Sequence, residues 1–186
     1  MSRIAVSALG RDRPGIVAGV TRVLLDHGLN LADSQMGILS GRFSMTLLVQ
    51  EGRGAVDLDA LRADLRAVGD DLALDAIFAT PVPDEEPAEG GVGAGGALMV
   101  SVYGADHPGI VHAVTRELCA QGVNIVNLET RLAAGRGSGP PLYAMFLEVS
   151  LRAGGPAERE LAEALRRIGS EQRVEIAVRA LEEDVL

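Results

Sequence analysis

The sequence predicts an α+β protein of two successive units, each with the element order βαββαβ and with both helices on one face of a four-stranded antiparallel sheet. Two observations support this fold class. The 24 residues from Ser7 to Asn30 match those from Ser101 to Asn124 at 13 positions without a gap, which indicates an internal duplication. In each copy, apolar residues alternate at strand spacing and then recur at helical spacing, in the same order.

The elements of the first unit follow from these two spacings. Alternation from Ile4 to Ala8 predicts the first strand. Helices are expected to begin near Pro14 and Asp57, residue types frequent at helix N-termini, and to end near Gly28 and Gly69, because glycine often follows a helix. In order, the patterns predict a strand over 4–9, a helix over 16–27, strands over 29–39 and 43–50 joined by a Ser40-Gly41 turn, a helix over 57–69 and a strand over 72–79.

The second unit repeats this order with one insertion. Residues 133–141 contain Gly and Pro where the first unit has only a tight turn. Gly122 is expected to end the first helix, and Pro156 and Gly169 to open and close the second. The patterns predict strands over 98–102, 124–132, 143–149 and 174–178, and helices over 110–118 and 156–169.

Composition divides the chain into domains. Residues 1–80 form the first predicted domain, and residues 81–96 form a Pro/Gly-rich acidic linker. Residues 97–186 form the second domain, which ends in a short acidic tail.

The charge balance limits the possible partners. A net charge of −9 argues against direct binding to nucleic acid or to an anionic membrane, since both require a basic surface. All 17 basic residues are arginines, and the absence of lysine excludes Schiff-base chemistry and a Walker A phosphate site. No nucleophile and base stand at a recognisable spacing, so we predict a protein that is not an enzyme and requires no cofactor.

The cysteine and the histidines do not indicate a reactive or metal-binding site. The single Cys119 lies in a predicted helix, at a position facing or flanking the core, and is expected to be inert. His107 and His112 are too poorly spaced to present two metal ligands on one helical face, and His27 is expected to stabilise a helix C-terminus. The N-terminus lacks a long apolar segment, which predicts a cytoplasmic protein without a membrane anchor.

One motif stands at the first strand-to-helix turn of both units. It reads G-x-D-x-P-G-I-V, from Gly10 to Val17 and again from Gly104 to Val111, and Gly-x-Asn follows at the start of the second strand. Two βαββαβ units with this motif resemble tandem ACT domains, which have a ferredoxin-like fold. Among tandem forms the chain most resembles the glycine cleavage system transcriptional repressor group. It is also similar to the regulatory halves of formyltetrahydrofolate deformylase and phosphoserine phosphatase.

The resemblance implies that a small amino acid, of the glycine or serine class, binds at an interface between two ACT units. Helix N-termini attract carboxylates, so the ligand's carboxylate is expected on backbone amides at the start of a unit's first helix. The motif aspartate would take the ligand's ammonium, and the asparagine of a neighbouring unit would supply a donor and an acceptor. The implied ligand set is Asp12, Pro14, Gly15, Ile16 and Asn30 in the first unit, and Asp106, Pro108, Gly109, Ile110 and Asn124 in the second.

A purely structural interpretation of these residues stays open. Proline and glycine at such a turn also serve simply to start a helix, and Asp12 would then satisfy only local backbone amides. The two copies also differ, because Arg11 and Arg13 of the first are replaced by Ala105 and His107 in the second. The two sites are therefore not expected to be equivalent.

Together these observations predict a non-enzymatic regulatory protein that binds a small amino acid and signals through a protein partner. If it regulates transcription, that partner would have to bind the DNA. Three alternatives stay open: a ligand-free adaptor, a detached regulatory subunit of an amino-acid metabolic enzyme, and an enzyme that depends on Asp106 or His107. A homodimer is expected, because the sheet face opposite the helices needs cover; the candidates there are Leu9, Leu48, Tyr103 and Phe146.

Overall fold

The computed structural model describes residues 3–52, 56–83, 95–133 and 141–181. The chain divides into two compact units, Met1–Glu86 and Pro87–Leu186. Most of the predicted linker, the predicted insertion and the acidic tail lie outside the described residues. Within the described ranges, no helix is both long and apolar enough to cross a membrane.

The first unit has the predicted βαββαβ order. Its elements are β1 (Arg3–Arg11), α1 (Ile16–Asp26), β2 (Leu29–Leu39), β3 (Arg42–Glu51), α2 (Leu58–Asp71) and β4 (Leu74–Val82). The strands form one antiparallel sheet in the order β2-β3-β1-β4. Ser40 and Gly41 form the predicted hairpin turn, with φ angles of 50° and 76°, as a two-residue turn of this type requires.

The second unit repeats the same architecture. Its elements are β5 (Ala97–Ala105), α3 (Ile110–Ala120), β6 (Asn124–Ala133), β7 (Leu142–Ser150), α4 (Glu158–Gln172) and β8 (Val174–Ala180). The sheet order β6-β7-β5-β8 corresponds strand for strand to that of the first unit. The fold class predicted from the duplication is therefore confirmed.

Each unit has its own apolar core between one sheet face and its two helices. In the first unit, alternate residues of β1 and β3 pack against α1 and α2; Val6, Val20 and Leu61 are fully buried there. Val100, Val114 and Leu161 hold similar positions in the second unit. Burial of such side chains contributes about 1.5–3 kcal/mol each, and this term holds the helices on the sheet.

The predicted helix ends at Gly69 and Gly169 are wrong. Both helices run two or three residues further, and both glycines are buried inside them. A Cβ on Gly69 would lie 2.6 Å from Cγ2 of Ile77, and one on Gly169 would lie 2.8 Å from the carbonyl oxygen of Val174. The glycines therefore allow the last strand of each unit to approach its helix closely, a role that sequence spacing does not distinguish from helix termination.

The predicted position of Cys119 is also wrong. Its side chain is exposed on α3. The buried face of that helix runs through Ile110, Val114 and Leu118, and the next residue points about 100° away from Leu118. Cys119 is thus accessible rather than packed.

Each sheet has a second face, opposite the helices of its own unit. Of the residues predicted there, Leu9 and Tyr103 are 44% and 39% exposed, while Leu48 and Phe146 are half-buried. The rings of Tyr103 and Phe146 pack edge to face with their centroids 5.7 Å apart. Both faces thus present apolar side chains to their surroundings.

Candidate functional site

The two motif turns have the same backbone geometry. Gly15 and Gly109 are the N-cap residues of α1 and α3, with φ angles of 98° and 104°. Only glycine adopts this conformation without strain, which explains why the glycine recurs in both copies. Each turn thus connects the end of a central strand directly to the N-terminus of a helix.

These two helix N-termini differ from the other two in their capping. No side chain caps α1 or α3, and neither helix has an acidic residue in its first turn. By contrast, Asp57 caps α2 by accepting from the amides of Asp59 and Ala60, and Glu160 of α4 accepts from the amide of Ala157. The motif turns therefore leave backbone N–H groups and a partial positive charge without an acidic side chain to satisfy them.

The motif residues around each turn are mostly exposed. The side chains of Asp12 and Asp106 are exposed, and within the described residues their carboxylates make no hydrogen bond. Their backbone amides instead hold the turn in place: Asp12 N–H donates to the carbonyl of Gly41 at 3.0 Å, and Asp106 N–H to that of Pro141 at 3.4 Å. Neither carboxylate therefore accepts a hydrogen bond from local backbone amides. The purely structural interpretation had required such bonds for Asp12.

The prolines and isoleucines of the predicted ligand set differ in their exposure. Pro14 and Pro108 are exposed beside the glycines. Ile16 and Ile110 are each only 1% exposed, because their side chains belong to the two cores. Of these isoleucines, only the backbone amides are placed to meet a ligand.

The asparagines lie far from the aspartates of the same unit. Asn30 pairs with Gln50 on β3, and Gln50 pairs with Arg3 at the beginning of β1. Asp12 follows the other end of β1, nine residues on, which corresponds to roughly 30 Å of extended strand. The second unit repeats this arrangement. One unit alone therefore does not bring its own aspartate and asparagine to one small ligand.

A histidine distinguishes the second turn from the first. His107 has its Nε2 2.6 Å from the carbonyl oxygen of Gln172, the last residue of α4, and its Nδ1 3.1 Å from the carbonyl oxygen of Pro108. In the first unit this motif position is Arg13, which is exposed. The second turn is thus tied to the end of α4 by a contact that sequence reasoning did not foresee.

Tyr143 is a second difference between the units. It pairs with Gly104, as Phe43 pairs with Gly10, so the second unit carries an extra hydroxyl at the same place in the core. This residue is only 8% exposed, and its hydroxyl has no hydrogen-bond partner within the described residues. Burial raises the pKa of Tyr143, and the charge of Asp106 raises it further. The sequence signal was the Phe-to-Tyr difference between the repeats.

Comparison with known proteins identifies the family. The ACT domain family model matches residues 2–79, the first unit. A UPF0237 protein of Methanopyrus kandleri is 39% identical over 77 residues, covering 41% of this chain and 86% of the relative. The chain belongs to the ACT domain family.

Relatives that extend beyond one ACT unit are also found. The glycine cleavage system transcriptional repressor of Escherichia coli is 28% identical over 161 residues, covering 86% of this chain and 78% of the relative. The phosphoserine phosphatase SerB2 of Mycobacterium tuberculosis is 29% identical over 182 residues, which cover 94% of this chain but 40% of that enzyme. A crystal structure of an unknown protein from Galdieria sulphuraria superposes with a TM-score of 0.78 at 28% identity, covering 98% of this chain and 100% of the other. The ACT architecture is thus a regulatory fold present in two copies here.

Proposed function

We propose that this ACT protein is a non-enzymatic regulator that binds a small amino acid of the glycine or serine class. The observation that carries the proposal is the pair of uncapped helix N-termini at Gly15 and Gly109. A ligand carboxylate would accept from the free amides of the first helical turn. The unpaired carboxylate of Asp12 or Asp106 would accept from its ammonium.

An asparagine can contribute to this site only at the turn of a different unit. Asn30 and Asn124 lie at the sheet end opposite their own turns. A site that combines turn and asparagine therefore needs a second ACT unit, from the same chain or from a second copy. Ligand binding would then favour one arrangement of units over another, which is how a bound amino acid would produce a signal.

The signal would pass to a protein partner. The net charge of −9 opposes direct contact with DNA, so a role in transcription like that of the similar Escherichia coli repressor would work through a DNA-binding protein. We place the protein in the cytoplasm, as a homodimer that covers the open sheet faces. The domain boundaries proposed from composition, with a linker over 81–96, would allow the two units to respond separately.

Thermal unfolding against the twenty amino acids tests the proposal. At a ligand concentration near 100 times the dissociation constant, one occupied site adds about 2.7 kcal/mol, or roughly 5–10 °C for a chain of this size. We expect a shift with glycine or serine that is lost in Asp12→Ala or in Asp106→Ala. The variant Asp70→Ala, at an exposed acidic residue of α2, serves as the control.

The runner-up function is a ligand-free adaptor. The observation in its favour is a cavity of about 480 Å³ on the open face of the first sheet, with Ser7, Leu9, Thr46 and Phe78 in its walls. A folded sample that responds to none of the amino acids would favour this alternative. Loss of partner capture in Phe78→Ser but not in Asp12→Ala would then establish it.

A further inference from the structure

The fourth residue of the motif is basic in both units, but of two different kinds. It is Arg13 in the first turn and His107 in the second. An arginine side chain in a protein is always charged, whereas a histidine side chain changes its charge between about pH 5 and pH 8. At this position, the two turns therefore carry the same charge in mild acid and different charges above neutral pH.

His107 links the second turn to the end of α4. Its Nε2 lies 2.6 Å from the carbonyl oxygen of Gln172, and its Nδ1 lies 3.1 Å from the carbonyl oxygen of Pro108, the residue before the N-cap. Both partners are acceptors, so a neutral ring, which carries one proton, can donate to only one of them. Deprotonation therefore removes one of the two bonds that hold the ring between these segments.

The end of α4 also lies close to the N-terminus of α3. A Cβ built on Gly109 would lie 3.7 Å from Oε1 of Gln172, whereas a Cβ built on Gly15 would meet nothing within 4 Å. The imidazole and this amide side chain are thus held beside the uncapped amides of the second turn. A positive charge on the imidazole attracts an anion bound to those amides.

A buried polar group adjoins the same turn. Tyr143 pairs with Gly104, the first residue of the motif, and its buried hydroxyl has no partner within the described residues. A buried donor without a partner is a group that a bound acceptor would satisfy. Burial, and then the charge of Asp106, raise the pKa of Tyr143 above its ordinary value of 10.0. The hydroxyl therefore stays neutral over the range in which His107 changes its charge.

The charged groups around His107 leave its charge free to change near neutral pH. The bonds to the two backbone carbonyls raise its pKa above 6.5, and Asp106 adds to this rise, while desolvation and Arg173 oppose it. The first turn of α3 contains no acidic residue. Glu171 of α4 and Glu175 of β8 are exposed. The positive charge is thus present in mild acid and is lost above neutral pH.

We propose that the second motif turn is a proton-gated site, which binds the carboxylate of a small amino acid more tightly while His107 is protonated. The inference rests on the proposed function, because the carboxylate binds the same helix N-terminal amides, and it adds a regulation by pH that the first turn lacks. Protonation places a positive charge beside the carboxylate and keeps both bonds of the ring, so its two effects on affinity have the same sign. By linkage, a bound ligand tightens proton binding by His107 by the same factor.

Nuclear magnetic resonance of carbon-bound protons tests the gate, because these protons do not exchange with water at high pH. Glycine or l-serine is titrated into the full chain at about pH 5.5 and at about pH 8.5. The α-protons of Gly109 and Gly15 report the occupancy of each turn, and the Cε1 proton of His107 reports its charge. We expect the dissociation constant measured at Gly109 to be at least about fivefold larger at the higher pH, and the one measured at Gly15 to be unchanged.

Three variants assign the pH dependence to the imidazole. His107→Arg reproduces the permanent charge of Arg13, and its dissociation constant at Gly109 should be the same at both pH values. His107→Gln should bind weakly at both. His112→Gln, at an exposed histidine of α3, is the control and should keep the full pH dependence.

The outcomes separate this inference from the proposed function. If the dissociation constant at Gly109 is the same at both pH values, or if only Gly15 responds, the gate is overturned and amino-acid binding stands. A pH dependence that survives in His107→Gln, or a pKa of His107 that the ligand leaves unchanged, also overturns the gate. If the α-protons of neither glycine respond at either pH, both proposals are wrong.

Discussion

The imidazole of His107 donates from Nε2 to the carbonyl oxygen of Gln172 at 2.6 Å, across 65 positions of sequence. Its Nδ1 faces the carbonyl oxygen of Pro108 at 3.1 Å. Because carbonyl oxygens only accept, both contacts are hydrogen bonds only when both ring nitrogens carry a proton. The bonds to Pro108 and Gln172 raise the pKa of His107 above its ordinary value of 6.5; Asp106 adds to this rise, while desolvation and Arg173 oppose it.

His107 should therefore make stability depend on pH. Because the pKa of His107 is raised in the folded state, its contribution to the free energy of unfolding is fully present below the pKa of the unfolded chain. That contribution is lost as the pH rises through the pKa of the folded state. The difference in unfolding temperature between the protein and His107→Ala should shrink as the pH rises from about 5.5 to about 8.5. His112→Ala, at an exposed histidine of α3, is the control. A difference that is constant or grows with pH would contradict the assigned bonds.

Replacement of Tyr143 by phenylalanine should stabilise the second unit. The buried hydroxyl has no partner among the described residues, and Phe43 fills the matching place in the first unit. Removing an unsatisfied buried hydroxyl should raise the free energy of unfolding by about 1–3 kcal/mol, measured by urea denaturation. The reciprocal change, Phe43→Tyr, should lower it by a similar amount. Loss of stability in Tyr143→Phe would show that the hydroxyl has a partner.

Alanine at Gly169 should destabilise the second unit. Its Cβ would lie 2.8 Å from the carbonyl oxygen of Val174, and the backbone there has little room to shift. We expect a net loss on the order of 1–3 kcal/mol, despite the better helix propensity of alanine. Gly19→Ala is the matched control, since a Cβ there would meet the flexible end of Leu72 at 3.0 Å. Equal effects of the two substitutions on urea denaturation would contradict the close-approach interpretation.

The cap of α2 provides a test of the contrast between capped and uncapped helices. Asp57 accepts from the amides of Asp59 and Ala60 at 3.0 and 3.1 Å. Asp57→Ala should therefore lower the free energy of unfolding by about 1 kcal/mol. Asp70→Ala, near the other end of the helix, should have no effect or raise stability slightly, because a negative charge is unfavourable there. Urea denaturation measures the free energy of unfolding of both variants. An equal loss in Asp57→Ala and Asp70→Ala would contradict the assigned cap.

Local patterns predicted most of the fold because each element carries its own signal. The alternation in β1, the Ser40-Gly41 turn and the Asp57 cap all depend on neighbours in sequence. Gly69 and Gly169 were misinterpreted because their role depends on a strand that comes later in the chain. A glycine that ends a helix and one that lets a strand approach have the same local pattern.

The candidate site was only partly accessible to sequence reasoning. The motif placed Gly15 and Gly109 correctly at helix N-termini, since a turn between strand and helix is local. The contact of His107 with Gln172 and the burial of the Tyr143 hydroxyl arise from tertiary packing. Only the differences between the two repeats could have drawn attention to these positions.

Nuclear magnetic resonance of the backbone amides during titration with glycine or l-serine tests whether the two motif turns bind a ligand. We expect saturable shifts of the amides of Gly15 and Ile16, of Gly109 and Ile110, or of both pairs, because a carboxylate at an uncapped helix N-terminus changes their hydrogen bonding. The same titration of Asp12→Ala and Asp106→Ala should show which turn responds. Saturable shifts confined to other parts of the chain, or none at millimolar ligand, would contradict the assignment of the turns as ligand sites.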